Sequence, residues 1–162
     1  KQFMEWGKYY SLKNEVRFVN IRLEHFYGPG DDDSKFTTYV IKSCLNNVPK
    51  LKLTHGEQRR DFIYIDDVIS AYLVLLKNID VFPDGFEEFD VGSGEVVSIK
   101  DFVRTVHRLT ESQSILDFGA IPYREGEVML SEVNVEPLAE LGWACNTTLE
   151  QGLTLTLKGV NS

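Results

Sequence analysis

Two segments of the sequence place arginines beside apolar runs, and arginine is well suited to holding an anion. The first segment, RLEHFYGPG, covers residues 22–30, and the second, RRDFIYIDD, covers residues 59–67. A guanidinium group can bind a phosphate or a carboxylate through two parallel hydrogen bonds. We therefore predict that the two segments share one binding site for an anionic ligand.

The elements that position these segments alternate between strands and helices. Apolar residues that alternate along the chain predict strands at 17–23, 51–53, 61–65, 86–91 and 114–118. Helical spacing of apolar residues predicts helices at 1–13, 35–45, 66–76, 99–109, 137–141 and 148–157. Strands that alternate with helices indicate an α/β fold with a largely parallel sheet.

Polar and apolar patterns refine the prediction for three of these helices. Ser98 is expected to cap the helix at 99–109, whose His107 is interpreted as a surface residue. Asp66 and Asp67 are expected to supply the cap and first-turn carboxylates of the helix at 66–76, which is apolar nearly all round and should be buried. The helix at 35–45 is predicted to carry four residues on one face, Phe36, Tyr39, Val40 and Cys44.

Length, charge and cysteine content exclude several classes of function. The chain has 162 residues, enough to bury a core, and its formal net charge of −8 excludes a nucleic-acid partner. No apolar run approaches the roughly 20 residues of a membrane span, so no membrane partner is expected. Cys44 and Cys145 lack metal-ligand spacing and indicate reduced thiols in the cytoplasm. The acidic run 31–33 lacks convergent ligands elsewhere, so we interpret it as a solvated loop and predict no metal.

Five motifs in order along the chain resemble one enzyme family. They are R-x-x-x-x-Y-G-P at 22–29, G-x-x-x-R-D-F-x-x-x-D-D at 56–67, FDVGSG at 89–94, YREGEV at 123–128 and LGW at 141–143. Together they resemble the extended short-chain dehydrogenases/reductases, also called the NAD-dependent epimerase/dehydratase family. The resemblance implies the C-terminal part of a Rossmann-type protein with its small substrate-binding domain, and NAD or NADP as cofactor.

The same resemblance implies a division of the chain and a reaction. Residues 1–30 would end the dinucleotide-binding domain, and residues 31–162 would form mainly the substrate-binding domain, with 61–91 returning a helix and a strand to the core. The pattern is most similar to enzymes of O-antigen biosynthesis that reduce the C4 ketone of a nucleotide-diphosphate deoxysugar. A 4-epimerase or 4,6-dehydratase on the same scaffold remains an alternative, as does a non-catalytic nucleotide-sugar-binding fragment.

Lys1 is the candidate catalytic residue that the resemblance implies. The family uses Tyr-x-x-x-Lys with a glutamate four residues after the lysine, and KQFME supplies that lysine and glutamate. The tyrosine would lie four residues before Lys1, whose ammonium group would stabilise the phenolate and hold the nicotinamide ribose. The alternative is a solvated helix lysine. Because the catalytic tyrosine and the Gly-rich cofactor turn are missing from these 162 residues, the chain is expected to be the C-terminal part of a larger protein and inactive by itself.

The resemblance also implies substrate-binding residues on both sides of a cleft. Arg60 and Arg124 would hold the diphosphate, and Glu127 would accept hydrogen bonds from the nucleotide ribose. The alternative is that both arginines are surface residues in ion pairs, Arg60 with Asp61 and Arg124 with Glu125.

Further candidates lie beside the cofactor and the base. Leu23, Glu24 and His25 would approach the nicotinamide, and His25 would also contact the substrate phosphate unless its role is structural. Leu53 and His55 would pack against the nucleobase. The apolar helix at 3–10 resembles one through which these enzymes form homodimers.

Overall fold

The computed structural model describes residues 2–13, 16–82 and 85–160. Its helices are α1 Gln2–Leu12, α2 Phe36–Leu45, α3 Ile65–Lys77, α4 Ile99–Leu109, α5 Glu136–Glu140 and α6 Leu149–Val160. Its strands are β1 Phe18–Leu23, β2 His25–Tyr27, β3 Lys50–Leu53, β4 Arg59–Tyr64, β5 Phe86–Val91, β6 Val96–Ser98 and β7 Ile115–Phe118.

Most strands pair in parallel, which confirms the predicted α/β class. β1 pairs with β5, β2 with β4 and β3 with β7, all parallel, whereas β4 and β6 are antiparallel. β5 has the predicted bounds, and the other predicted strands agree within one or two residues. β2 and β6 were not predicted, because three residues are too few for an alternating pattern to show.

The β1–β5 pair is covered by different helices on its two faces. Val91 of β5 packs with Leu138 of α5 and with residues of α3 in one apolar cluster. On the opposite face Phe18 stacks on Phe86 with ring centroids 5.9 Å apart. Gly7 of α1 lies against Phe18 so closely that an added Cβ would come within 2.6 Å of the ring. α1 and α3 therefore flank the sheet from opposite sides.

A second apolar cluster holds α2, α4 and α6 around β3 and β4. Phe62 of β4 stacks on Phe102 of α4, with centroids 4.3 Å apart. The predicted cap of α4 is confirmed, since Ser98 Oγ accepts a hydrogen bond from the Asp101 backbone nitrogen at 3.0 Å. This core supports the end of β4 that carries Arg60.

Two expectations for α3 were wrong. The helix is not buried all round, because four apolar side chains on its outer face are exposed: Ile69, Tyr72, Leu73 and Leu76. A helix that is apolar on all sides is buried on a given side only where another element packs against it. Asp66 and Asp67 lie in the first turn as predicted, but the N-cap is Tyr64, which makes no side-chain cap. The Asp67 carboxylate instead accepts hydrogen bonds from the backbone nitrogens of Asn146 and Thr147, at 3.0 and 3.1 Å.

Smaller corrections concern α2 and α4. The buried face of α2 includes Val40 and Cys44, whereas Phe36 and Tyr39 are exposed because they border a cavity. His107 is half-buried, and its Nε2 lies 2.9 Å from the Ser114 carbonyl oxygen. None of the described helices is both long enough and apolar enough to cross a lipid bilayer.

Candidate functional site

The two arginine-bearing segments lie side by side. β2 from the first segment runs parallel to β4 from the second, with His25 opposite Phe62 and Tyr27 opposite Tyr64. A cavity of about 940 Å³ opens beside this pair and is bordered by both segments. Its volume is within the range of pockets that hold small-molecule ligands and cofactors.

Most of the predicted site residues border this one cavity. Seven of them do so, namely Leu23, Glu24, His25, Leu53, Arg60, Arg124 and Glu127. Lys1 lies outside the described residues. His55 is not on the cavity wall. Its ring packs against Gly119 and lies 6.0 Å from the Tyr123 ring, centroid to centroid.

Arg60 is held in place by β4 and by one acidic partner. Its side chain is 10% exposed, and its Nη2 donates to Glu127 Oε1 at 2.9 Å. Its Nη1 donates to the Arg59 carbonyl oxygen at 2.9 Å. The alternative pairing with Asp61 was wrong, since the buried Asp61 carboxylate accepts hydrogen bonds from the backbone nitrogens of Ser93 and Gly94. Arg60 therefore points into the cavity rather than to the surface.

Arg124 and Glu127 reach the cavity from the segment between β7 and α5. The Glu127 backbone nitrogen donates to the Arg124 carbonyl oxygen at 3.1 Å, and this turn passes through Gly126, whose φ is +72°. A positive φ of this size favours glycine, because a Cβ would clash with the backbone. Upstream, the Tyr123 hydroxyl accepts a hydrogen bond from the Glu57 backbone nitrogen at 3.1 Å. The turn thus brings an exposed guanidinium and a carboxylate to the wall of the cavity.

The end of β1 places a carboxylate and an imidazole side by side. Glu24 Oε2 lies 3.3 Å from His25 Nδ1 and accepts a hydrogen bond from Ser131 Oγ at 3.1 Å. The backbone nitrogen of Glu24 donates to the Val91 carbonyl oxygen at 3.1 Å, which fixes this turn to β5. Leu23 leaves more than a third of its surface exposed, so the cavity has an apolar wall here.

The other arginines of the two segments do not border the cavity. Arg22 lies in ion pairs with Glu88 at 2.9 Å and with Asp90 at 2.5 Å on the β1–β5 sheet. Those hydrogen bonds to Asp90 raise the pKa of Arg22, so this guanidinium already has its anionic partners. Arg59 is exposed and donates to the Val96 carbonyl oxygen at 3.1 Å. Side-chain alternation along β4 explains why Arg60 faces the cavity and Arg59 does not.

Tyr27 does not offer a phenol to this cavity. It is 1% exposed, its hydroxyl donates to the Leu149 carbonyl oxygen, and Gly152 leaves room for its ring. Burial raises the pKa of the Tyr27 phenol, which stays protonated at neutral pH. Its role is structural.

Sequence reasoning missed several polar residues of the cavity wall, including Lys35, Gln58 and Ser131. Lys35 Nζ pairs with Asp31 at 2.8 Å and lies 3.6 Å from the centroid of the Phe26 ring. No periodicity or motif marks such residues, because only the fold brings them to the cavity. Within residues 2–13, 16–82 and 85–160, no three His, Cys, Asp or Glu side chains cluster as metal ligands would.

The fold and this cavity together indicate which kind of ligand the protein binds. Two guanidinium groups from distant segments border one cleft of an α/β protein, near the carboxyl end of parallel β1, where such folds bind nucleotides. The arrangement suits a ligand with a doubly charged head group and an apolar or aromatic part.

The chain belongs to the NAD dependent epimerase/dehydratase family, which residues 1–92 match. It is 44% identical over 161 residues to the CDP-abequose synthase of Salmonella typhimurium, covering 98% of this chain and 53% of that relative. It is 39% identical to the CDP-abequose synthase of Salmonella muenchen, covering 94% of this chain and 52% of the relative. The motif resemblance is therefore confirmed.

Solved structures share the fold. MoeE5 in complex with UDP-glucuronic acid and NAD superimposes with a TM-score of 0.78 at 26% identity, covering 91% of this chain and 48% of that one. The chain thus spans about half the length of the curated and solved relatives that it matches.

Proposed function

We propose that this chain supplies the substrate-binding part of an NAD(P)H-dependent reductase that acts on the C4 ketone of a nucleotide-diphosphate deoxyhexose. The observation that carries the proposal is the single cavity that Arg60, Arg124 and Glu127 share with the end of β1. The identity of 44% to a CDP-abequose synthase supports the same class of substrate.

The charges of the cavity support binding of a diphosphate. The whole chain carries a formal net charge of −8, so an anion needs a local positive field. Four cationic side chains border the cavity: Arg60, Arg124, Lys35 and Lys52. Two guanidinium forks from different segments fix both the position and the direction of a diphosphate, which carries charge on two centres. Glu127, between them, can then accept hydrogen bonds from the ribose hydroxyls.

The end of β1 fits the approach of a nicotinamide. Leu23 presents an apolar side chain to the cavity, and Glu24 and His25 add polar groups beside it. These three residues, with Lys1, would hold the NAD or NADP cofactor, whose reduced form would supply the hydride that converts the C4 ketone to an alcohol. The chain's own residues bind and orient the sugar so that C4 lies at this end of the cavity. The matching proton comes from the tyrosine that we expect four residues before Lys1.

Direct titration tests the binding half of this proposal. In the whole protein, Arg60→Ala should lower the affinity for CDP about tenfold or more, because a hydrogen bond to a charged group contributes about 1.5–3 kcal/mol. Arg59→Ala is the matched control: it removes the same charge one residue away from the cavity wall, and affinity should stay within about twofold. Equal affinities for the Arg60→Ala variant and the native protein would remove Arg60 from the site.

Product analysis tests the reaction. A reductase consumes one NADPH for each CDP-4-keto-deoxyhexose reduced, whereas a 4-epimerase or a 4,6-dehydratase returns the cofactor to its starting state. These two alternatives remain because the family includes both reactions. Conversion of a CDP-hexose that carries a C4 hydroxyl, with no net change in the cofactor, would replace the reductase with one of them, because neither alternative starts from a C4 ketone. Binding of CDP without conversion of either sugar would indicate a non-catalytic nucleotide-sugar protein.

We further propose a homodimer in the cytoplasm. The support for the dimer is the surface of α1, where four aromatic side chains are exposed: Phe3, Trp6, Tyr9 and Tyr10. The support for the cytoplasm is that Cys44 and Cys145 are both free thiols.

A further inference from the structure

The side chain of Gln58 is a buried polar group of the cavity wall that the proposed reaction does not yet use. Gln58 is 8% exposed and borders the cavity. Its Nε2 donates to Thr54 Oγ1 at 3.3 Å, but its Oε1 has no hydrogen-bond partner among the described residues. Buried acceptors are almost always paired, so an unpaired one at a cavity wall indicates a ligand donor.

The position of Gln58 along β4 shows which part of a ligand it meets. Gln58 precedes β4 and faces the same cavity as Arg60, two residues on, so the two side chains start about 7 Å apart. His25, at the end where the nicotinamide approaches, lies opposite Phe62, two residues beyond Arg60. Arg60 therefore lies between Gln58 and the reacting end. If Arg60 holds the diphosphate, the sugar extends toward His25 and the nucleoside toward Gln58.

The surroundings of Gln58 suit the flat ring of a nucleobase. Its carbonyl oxygen accepts a hydrogen bond from the Ile99 backbone nitrogen at 2.9 Å, so Ile99 is its direct neighbour. Ile99, Leu53 and Ile121 also border the cavity and give this end apolar surfaces. A polar group set among apolar surfaces fixes the orientation of a ligand and contributes strongly to specificity.

We propose that Gln58 reads the nucleobase of the nucleotide sugar, with Oε1 accepting a hydrogen bond from a ring or amino N–H of a pyrimidine. The hydrogen bond from Nε2 to Thr54 Oγ1 fixes the amide at the cavity wall. This inference rests on the proposed function, because it places the base by reference to a diphosphate held at Arg60.

Binding of CDP and of ribose 5-phosphate to the whole protein tests this assignment, since the second ligand carries ribose and phosphate but no base. Gln58→Leu should weaken CDP about tenfold, the loss of one hydrogen bond to a buried group, and leave ribose 5-phosphate within twofold. Gln58→Glu keeps the acceptor, so its ratio of CDP affinity to ribose 5-phosphate affinity should stay close to that of the native protein. Gln113→Leu, which changes an exposed glutamine outside the cavity, is the control and should alter neither ligand.

The outcomes separate this inference from the proposed function. Native affinity for CDP in the Gln58→Leu variant, or an equal loss for both ligands, would overturn the base-reading role and leave the nucleotide site standing. A Gln58→Glu ratio about tenfold below that of the native protein would overturn it as well, and this outcome does not depend on whether the leucine variant folds. Absence of CDP binding by the native protein would overturn both proposals.

Discussion

The ion pair between Arg60 and Glu127 leads to a prediction that differs in size between two ligands. Both residues are proposed to bind the nucleotide, yet they bind each other, with Arg60 Nη2 and Glu127 Oε1 2.9 Å apart. A diphosphate that takes the Arg60 fork must compete with this carboxylate. Glu127→Gln should therefore tighten the binding of inorganic pyrophosphate, because it removes the competing charge.

The size of the effect follows from the burial of the pair. Two unit charges about 4 Å apart interact by about 4 kcal/mol at an effective dielectric constant of 20, before desolvation is subtracted. The side chains are 10% and 21% exposed, so solvent screens the pair in part. A net change of about 1–2 kcal/mol corresponds to about 5- to 30-fold tighter pyrophosphate binding.

CDP should behave differently, because its ribose is expected to donate hydrogen bonds to Glu127. The gain at the diphosphate is then offset by a weaker ribose contact, so Glu127→Gln should improve CDP binding less than it improves pyrophosphate binding. Isothermal titration at fixed salt measures both. Glu125→Gln removes the same charge two residues away, where the side chain is exposed, and should change pyrophosphate affinity less than twofold. Unchanged or weaker pyrophosphate binding in the Glu127→Gln variant would refute the competition.

Three further predictions concern stability and assembly. Ser98→Ala should lower the free energy of unfolding by about 1 kcal/mol in urea titration, because it removes the α4 cap; an unchanged midpoint would contradict this. Burial raises the pKa of the Cys145 thiol from 9.0 to about 11, so as pH rises the unfolded chain loses this proton before the folded protein does. The free energy of unfolding should therefore fall between about pH 9 and pH 11. Cys145→Ala should flatten that decline in thermal unfolding, and a pH slope identical to that of the native protein would refute the prediction. Trp6→Glu should shift sedimentation of the whole protein toward the monomer, and a native profile would exclude this face of α1 from the interface.

Local signals in the sequence were enough to predict most elements and the cap of α4. The strand at Phe86–Val91 and the role of Ser98 follow from alternation and from residue type alone. β2 was not predictable by alternation, because its three residues gain their partner from β4, 37 residues further on. The exposed face of α3 could not be foreseen either, since an apolar pattern does not show what covers it.

Motifs predicted several residues that border the cavity, but they did not predict the contacts among those residues. Arg60, Arg124 and Glu127 were singled out by spacing and resemblance, and the structure places all three on one cavity. The Arg60–Glu127 ion pair joins residues 67 apart in sequence, so only the fold brings them together. Gln58 had no motif signal, and its unpaired Oε1 is visible only in three dimensions. His55 was expected at the base, but the structure packs it beside Tyr123.

The central claim is that Arg60 and Arg124 hold one diphosphate between them. A crystal structure of the whole protein with bound CDP tests this most directly, because it shows the guanidinium nitrogens and the phosphate oxygens together. We expect both guanidinium groups within hydrogen-bond distance of the same diphosphate, with Glu127 released from Arg60 and turned to the ribose. A diphosphate that contacts neither arginine, or an Arg60–Glu127 pair that stays closed around bound CDP, would contradict the account.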